Sequence, residues 1–213
     1  MPRTPFTLQP RRLVAVNTLL AAVLWSAGVG ASWWWSIRTH EGRVFELAKV
    51  EANTNINKDW AFRRWGTSHG GVYVPPDAKT PPNPYLTVPD RDVVTREGKQ
   101  LTLMNPAYML RQIMHDYTEL YGVRGHITSL ILTNPINTPD PWEEAALRAF
   151  QRGVREMVEV TELDGQPYLR MIRAIPMEQG CMKCHEKTGV KVGEVRGGIS
   201  VAIPMAPIYA ASR

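Results

Sequence analysis

Cys181-Met182-Lys183-Cys184-His185 sets two thiols three positions apart and follows them at once with an imidazole. Sulfurs at that spacing can each add across one vinyl group of a porphyrin to form a thioether. The adjacent histidine then offers a ring nitrogen to one axial position on the iron. This is the attachment signature of a c-type haem. Three other chemistries use paired cysteines: a thioredoxin-like redox pair, half of a zinc site, and a disulfide. A redox pair sits at a helix start after a strand in a βαβ pattern, which the flanking sequence lacks. A four-ligand zinc site needs further Cys or His at short spacing, and none follow. The chain has two cysteines, both inside the motif, so neither has an obvious second role. One covalent haem c, with Cys181 and Cys184 as anchors and His185 as proximal iron ligand, is the expectation.

Covalent haem attachment takes place outside the cytoplasm in bacteria, and the N-terminus supplies the means of export. From Leu13 to Ile37 run twenty-five residues without a formal charge, enough to span a bilayer as a helix even with some tilt. Arg3, Arg11 and Arg12 precede the stretch, and Trp33, Trp34 and Trp35 close it as an interfacial belt. A cleaved signal peptide, with Val29-Gly30-Ala31 as the cleavage site, is the competing reading, but the apolar stretch is longer than a signal core. The expected organisation is a cytoplasmic N-terminus over 1–12, a transmembrane anchor over 13–37, a membrane-proximal helix over 38–65 and a haem domain over 66–213. That organisation is a single-pass protein of the inner membrane with its haem domain in the periplasm. The 213-residue length suits one domain of roughly 150 residues with such an appendage. The formal charge of +5 is scattered, with no basic stripe interleaved with aromatics, which argues against a nucleic-acid partner.

In the exported part, Val44, Leu47, Ala48, Ala52, Ile56 and Trp60 recur at spacings of three and four, predicting a helix that continues the membrane span as one rod. Such a rod suits a stalk, a lever or a homodimer contact. Residues 66–92 carry six prolines and Gly70-Gly71 and read as an ordered, irregular loop rather than helix or strand. Within it, His69 stands beside two residues that permit close backbone approach. Leu101–Met104 reads as a strand. Asn105-Pro106 then starts a helix running to about Tyr121 and ended by Gly122. His126–Thr133 reads as a strand and Trp142 to about Gly153 as a helix. Glu156–Leu163 and Tyr168–Ile175 flank a hairpin turn at Asp164-Gly165, and Glu194–Ile203 is a last strand. The motif falls in the loop between the last two strands. The fold class is α+β, an antiparallel sheet with helices on one face.

In order along the chain, FRRWGTSHGGVYVPP, NPYL, LTLMNPAYMLRQ, HITSLILTNPINTPDPWEEAAL, CMKCH and KVGEVRGGISVAIPM resemble a bacterial family of exported c-type haem domains. The resemblance covers roughly residues 40 to 205. It implies a PAS-like fold and haem binding. By association it implies sensing of redox state or a small ligand, since members often front histidine kinases, diguanylate cyclases or chemoreceptors behind one transmembrane helix. Two departures stand out. Sensor members usually continue into a second span and an output domain, whereas this chain stops at Arg213. Some members also use a cysteine as second axial ligand near the start of the mid-chain helix, and no third cysteine exists here.

The distal iron ligand therefore stays open. Met109, one turn into the helix from Asn105 and near where relatives place their sulfur, leads; His69 is next, then His126 and Met104, and an open or water-occupied position is the remaining option. Around the ring, Tyr73 and Tyr108 could supply hydrogen bonds or flat walls, and Arg111 or Arg196 could meet the propionates. The resemblance makes HITSL and RGGIS pocket-lining strands, with Gly197 and Gly198 letting the macrocycle approach. Two functions follow: a haem-based redox or gas sensor, and an electron-transfer cytochrome whose redox partner or signalling output protein the sequence does not name. A peroxidase-like enzyme, which would need distal acid–base groups, ranks behind both, and the chain is not read as an enzyme.

Overall fold

The computed structural model describes residues 10–212, so the first nine residues of the expected 1–12 segment lie outside the described residues. The chain divides into two units, Met1–Phe45 and Glu46–Arg213. In the first, the described residues belong to α1 (Pro10–Ser68), whose most apolar window has a mean hydropathy of 1.8. Among the described residues α1 is the one helix long and apolar enough to cross a membrane, a test that an N-terminal signal sequence also passes.

The second unit starts with the later turns of α1 and continues through β1 (Val72–Val74), β2 (Asp92–Val94), β3 (Gln100–Met104), α2 (Pro106–Asp116), α3 (Thr118–Tyr121) and β4 (Arg124–Thr128). It is completed by α4 (Pro141–Gln151), β5 (Glu156–Leu163), β6 (Gln166–Pro176), α5 (Met182–His185), β7 (Val195–Pro204) and α6 (Met205–Ala211). The fold is α+β, with two antiparallel sheets rather than one: β1-β3-β2, and β4-β7-β6-β5. The β5–β6 hairpin turns on Asp164 (φ 53°) and Gly165 (φ 72°), the left-handed pair that a tight hairpin needs.

Successive side chains of β6 go to opposite faces of the larger sheet. Ile172 packs with Ala146, Leu147 and Phe150 of α4, and Arg170 reaches Asp140 at the start of that helix (2.6 Å). Arg173 points the other way and donates to Asn57 (2.7 Å) and Asn53 (2.5 Å) of α1. The sheet is thus covered on both faces, by α4 and by the later turns of α1. The buried stripe of α1 runs Ala48, Ala52, Ile56, Asp59, Arg63, whereas Leu47 is 60% exposed. The stripe passes through Asp59, not through Trp60 as the apolar spacing suggested.

Several predicted elements come out shorter. The helix from Asn105 breaks at Tyr117, where Thr118 Oγ1 donates back to the carbonyls of Met114 (2.6 Å) and His115 (3.1 Å) and competes with the helical ladder. The strand from His126 stops at Thr128. There Ser129 Oγ accepts from Ile131 N (3.1 Å) and donates to the Arg196 carbonyl (2.8 Å), closing a turn. The proline-rich loop holds the short strand β1, paired antiparallel with β3.

The start of α4 is a capping box. Asp140 accepts from Glu143 N (2.9 Å), and Glu143 accepts from Asp140 N (3.2 Å). Glu143 also meets His126 Nδ1 at 2.9 Å. Burial pulls the His126 pKa down, but the Glu143 hydrogen bond and charge, the Ile136 carbonyl and Asp140 together outweigh it, and the net shift is upward. A raised histidine stabilises the fold fully below its unfolded pKa of about 6.5, and the contribution disappears as pH climbs through the higher folded value. The stability difference between wild type and His126→Gln is expected to be largest below about pH 6.5 and to shrink as pH rises through the higher folded pKa, with a maximum of about 1 kcal/mol for a partly exposed pair. Thermal unfolding of both chains across that range checks it; a constant difference would contradict the assignment.

Candidate functional site: a thiol and imidazole crevice

The motif sits on a loop that leaves β6 at Pro176 and returns to β7 at Val195. Its ends are stitched by backbone hydrogen bonds, Met177 N to Glu194 O and Gly193 N to Met177 O, both 2.8 Å. Inside the loop, α5 is a single turn flanked by 3-10 turns at Gln179–Cys181 and Glu186–Thr188. Thr188 Oγ1 closes its end by donating to the His185 carbonyl (2.6 Å). Glu178 pairs with Arg64 of α1 (3.3 Å), and Lys183 pairs with Asp90 of the proline-rich loop (3.3 Å). A Cβ on Gly180 would lie 2.6 Å from Thr67 Cγ2, so the loop backbone rests directly on α1.

These contacts hold Cys184 and His185 at the meeting of two narrow cavities, of about 60 and 90 Å³, with Cys181 on the wall of the second. The cavities share Arg63, Asn105, Ala107, Cys184 and His185. Arg196 and Gly197 of β7, and Thr128 and Ser129 after β4, complete the first.

Arg196 is 7% exposed and donates through Nη1 to Ser129 Oγ (2.6 Å) and the Ile131 carbonyl (3.1 Å). Its Nη2 lies 3.2 Å from His185 Nδ1. A guanidinium has donors only, so Nδ1 accepts and the ring proton is assigned to Nε2. Burial, then the charges of Arg196 and Arg63, push the His185 pKa down to about 4. The imidazole is neutral at physiological pH, the form that ligates a metal.

The donors fit a covalently held haem. Two thiols and a neutral imidazole converge on one crevice, and the buried Arg196 Nε has no hydrogen-bond partner among the described residues, a donor reserved for an acceptor entering the crevice. Among the described residues no three His, Cys, Asp or Glu gather in a way that could hold a metal ion, so a protein-only zinc set is not assembled.

The other nominated residues divide clearly. Arg111 and Arg196 line the crevice, whereas Met109, Met104, His69, His126, Tyr73 and Tyr108 line neither cavity. On α2, Ala107 and Arg111 share the cavity face one turn apart, and Met109 stands about 200° round the helix from Ala107. The His69 ring lies tilted against Trp65, centroids 4.7 Å apart, with Nδ1 2.8 Å from the Trp65 carbonyl. Tyr108 donates to the Pro81 carbonyl (3.0 Å) and Tyr73 to that of Asp90, so both tyrosines fasten the proline-rich loop. The room beside Gly197 is taken by Thr128 O, 2.4 Å from where a Cβ would stand, and that beside Gly198 by Ile172 Cδ1 at 2.8 Å. The glycines admit neighbouring strands, and Gly197 also lines the first cavity. Sequence reasoning passed over Arg63. The signal was a charged residue in phase with Ala48, Ala52 and Ile56 on the buried stripe.

The chain matches the Tll0287-like family over residues 48–204, a span that includes the crevice's cysteines, histidine and arginines. No curated protein sequence matches it. Among solved structures it is similar to the crystal structure of the cyanobacterial haem protein Tll0287, at 18% identity and a TM-score of 0.48, with 75% of this chain and 94% of that chain covered. With its family match covering well over half of the sequence, the chain belongs to the Tll0287-like family.

Proposed function

We propose that this chain is a membrane-anchored, periplasmic, PAS-like monohaem c-type cytochrome domain that senses a small ligand or redox state. Cys181 and Cys184 would fix the haem covalently, His185 would ligate its iron, and residues 13–37 would hold the domain at the inner membrane. When bound, the haem supplies an iron able to change oxidation state and to take a diatomic ligand. One observation favours sensing: among the described residues, those lining the two cavities include no histidine, methionine or cysteine beyond the motif's own.

The protein's own groups support the assignment. His185 is kept neutral by burial and by two neighbouring cations, so its ring nitrogens are available near pH 7. Were Nε2 the nitrogen that holds the iron, the ring proton would sit on Nδ1, which would then no longer accept from Arg196 Nη2. Glu178 and Gly180 rest on Arg64 and Thr67, so a shift of the loop is felt by α1. Exposed Leu47 and Val50 on the membrane-proximal turns offer an apolar homodimer contact. We assign the chain no catalytic chemistry.

The test is an optical titration of the haem-loaded full-length chain in detergent, oxidised and reduced, with carbon monoxide and nitric oxide. The expected result is a reduced iron that binds both gases. A reduced iron that stays six-coordinate and ignores both would sink the sensing reading and leave electron transfer to a redox partner in its place.

A further inference from the structure

We propose that Arg63 is the carboxylate-binding residue of the crevice, its guanidinium taking a carboxylate in the space shared by the two cavities. The proposal rests on the haem reading for the identity of the crevice.

Arg63 lies on the buried stripe of α1 and is 9% exposed. It lines both cavities, and among the described residues no hydrogen bond or ion pair engages its guanidinium. Glu178, whose charge reaches it, is already paired with Arg64. The two walls together carry Arg63, Arg111, Lys183 and Arg196 but no aspartate or glutamate. Burial pulls the Arg63 guanidinium below its ordinary range. The same holds for Arg196, first through burial and then through the charge of Arg63. A buried cation facing another cation is costly unless an anion joins them.

Arg196 has most of its donors engaged, leaving Nε, whereas Arg63 has its whole planar fork to offer. That fork matches a carboxylate with two parallel hydrogen bonds. The carboxylate has two possible sources: a propionate of the porphyrin, or a free carboxylate entering from solvent.

The experiment compares wild type, Arg63→Met and Arg63→Lys as haem-loaded full-length chains in detergent. Four quantities are read: covalent haem yield, the propionate bending band in resonance Raman spectra, the midpoint potential, and formate affinity by optical titration. In Arg63→Met the haem is expected to remain attached, the band to move, and the potential to fall, because a cation that disfavours ferric iron is gone. Arg63→Lys restores part of the potential and not the band, since a point charge replaces a fork.

An unmoved band and potential with formate binding at least tenfold weaker supports the site and assigns its carboxylate to solvent. Band, potential and formate affinity all unchanged in Arg63→Met overturns the proposal. Should Arg63→Met fail to accumulate, Arg63→Lys decides alone, and an unmoved band with unchanged formate affinity overturns it. A wild-type chain without covalent haem overturns the haem reading, and this proposal with it.

Discussion

If the proposed covalent attachment holds, replacing Cys181 and Cys184 together by alanine is expected to abolish it: the double variant gives no haem-stained band on a denaturing gel, where wild type is expected to stain. The effect is all-or-none because the chain holds no other cysteine, so no second thiol can form a thioether. Each single Cys→Ala variant retains one anchor and shows a pyridine haemochrome band shifted to the red, the mark of one vinyl group left unreacted. His185→Ala keeps both anchors and therefore keeps the stain, while its iron spectrum changes. The four variants together separate attachment from ligation, which a loss of signal in any one of them would not. A stained band in the double variant would falsify the assignment of the motif.

Phe150→Ala is expected to cost about 3–5 kcal/mol, the range for emptying an aromatic site in a packed core. Phe150 is 2% exposed and packs with Ala146, Leu147 and Ile172, with Leu130, Trp142 and Met157 around them. Three of its neighbours belong to strands or a helix already fixed by backbone pairing, so the site has little freedom to collapse. A domain stability of order 5–15 kcal/mol makes this roughly a fifth or more of the total. Chemical denaturation of the two chains reads it as a lower midpoint at an unchanged slope. Because the cluster lies on the α4 face of the sheet and the crevice on the α1 face, the absorption spectrum of the folded variant stays as in wild type. A midpoint within experimental scatter of wild type would show that the cluster is not a core.

What the sequence disclosed depended on whether the information was local. The motif is contiguous, and the β5–β6 hairpin announces itself through Asp164-Gly165, so both could be read directly. Asn105 and the proline after it marked a helix start for the same reason. Arg63 escaped because an arginine within a helical pattern looks like a solvated face, and its burial is decided by β7 and the motif loop, far along the chain. Met109 was nominated from where relatives place a sulfur ligand; in the structure the phase of α2 sets Ala107 and Arg111, and not Met109, among the cavity-lining residues. The division into two sheets was hidden because β1 and β2 are three residues each, too short for an alternating pattern to register.

The stitched ends of the motif loop have a consequence for how such proteins diversify. Between Met177 and Glu194 the chain makes an excursion that starts and finishes on the same pair of backbone bonds, while the register of β6 against β7 is set outside it, from Tyr168↔Pro204 to Ile175↔Gly197. Lengthening or exchanging such a segment changes the closure entropy only slowly with its size. It leaves every pairing in the sheet where it was. The attachment segment is in effect a cassette: evolution, or an engineer, can rewrite the residues around the thiols without renegotiating the scaffold, provided Glu178 and Gly180 still find their seat on α1.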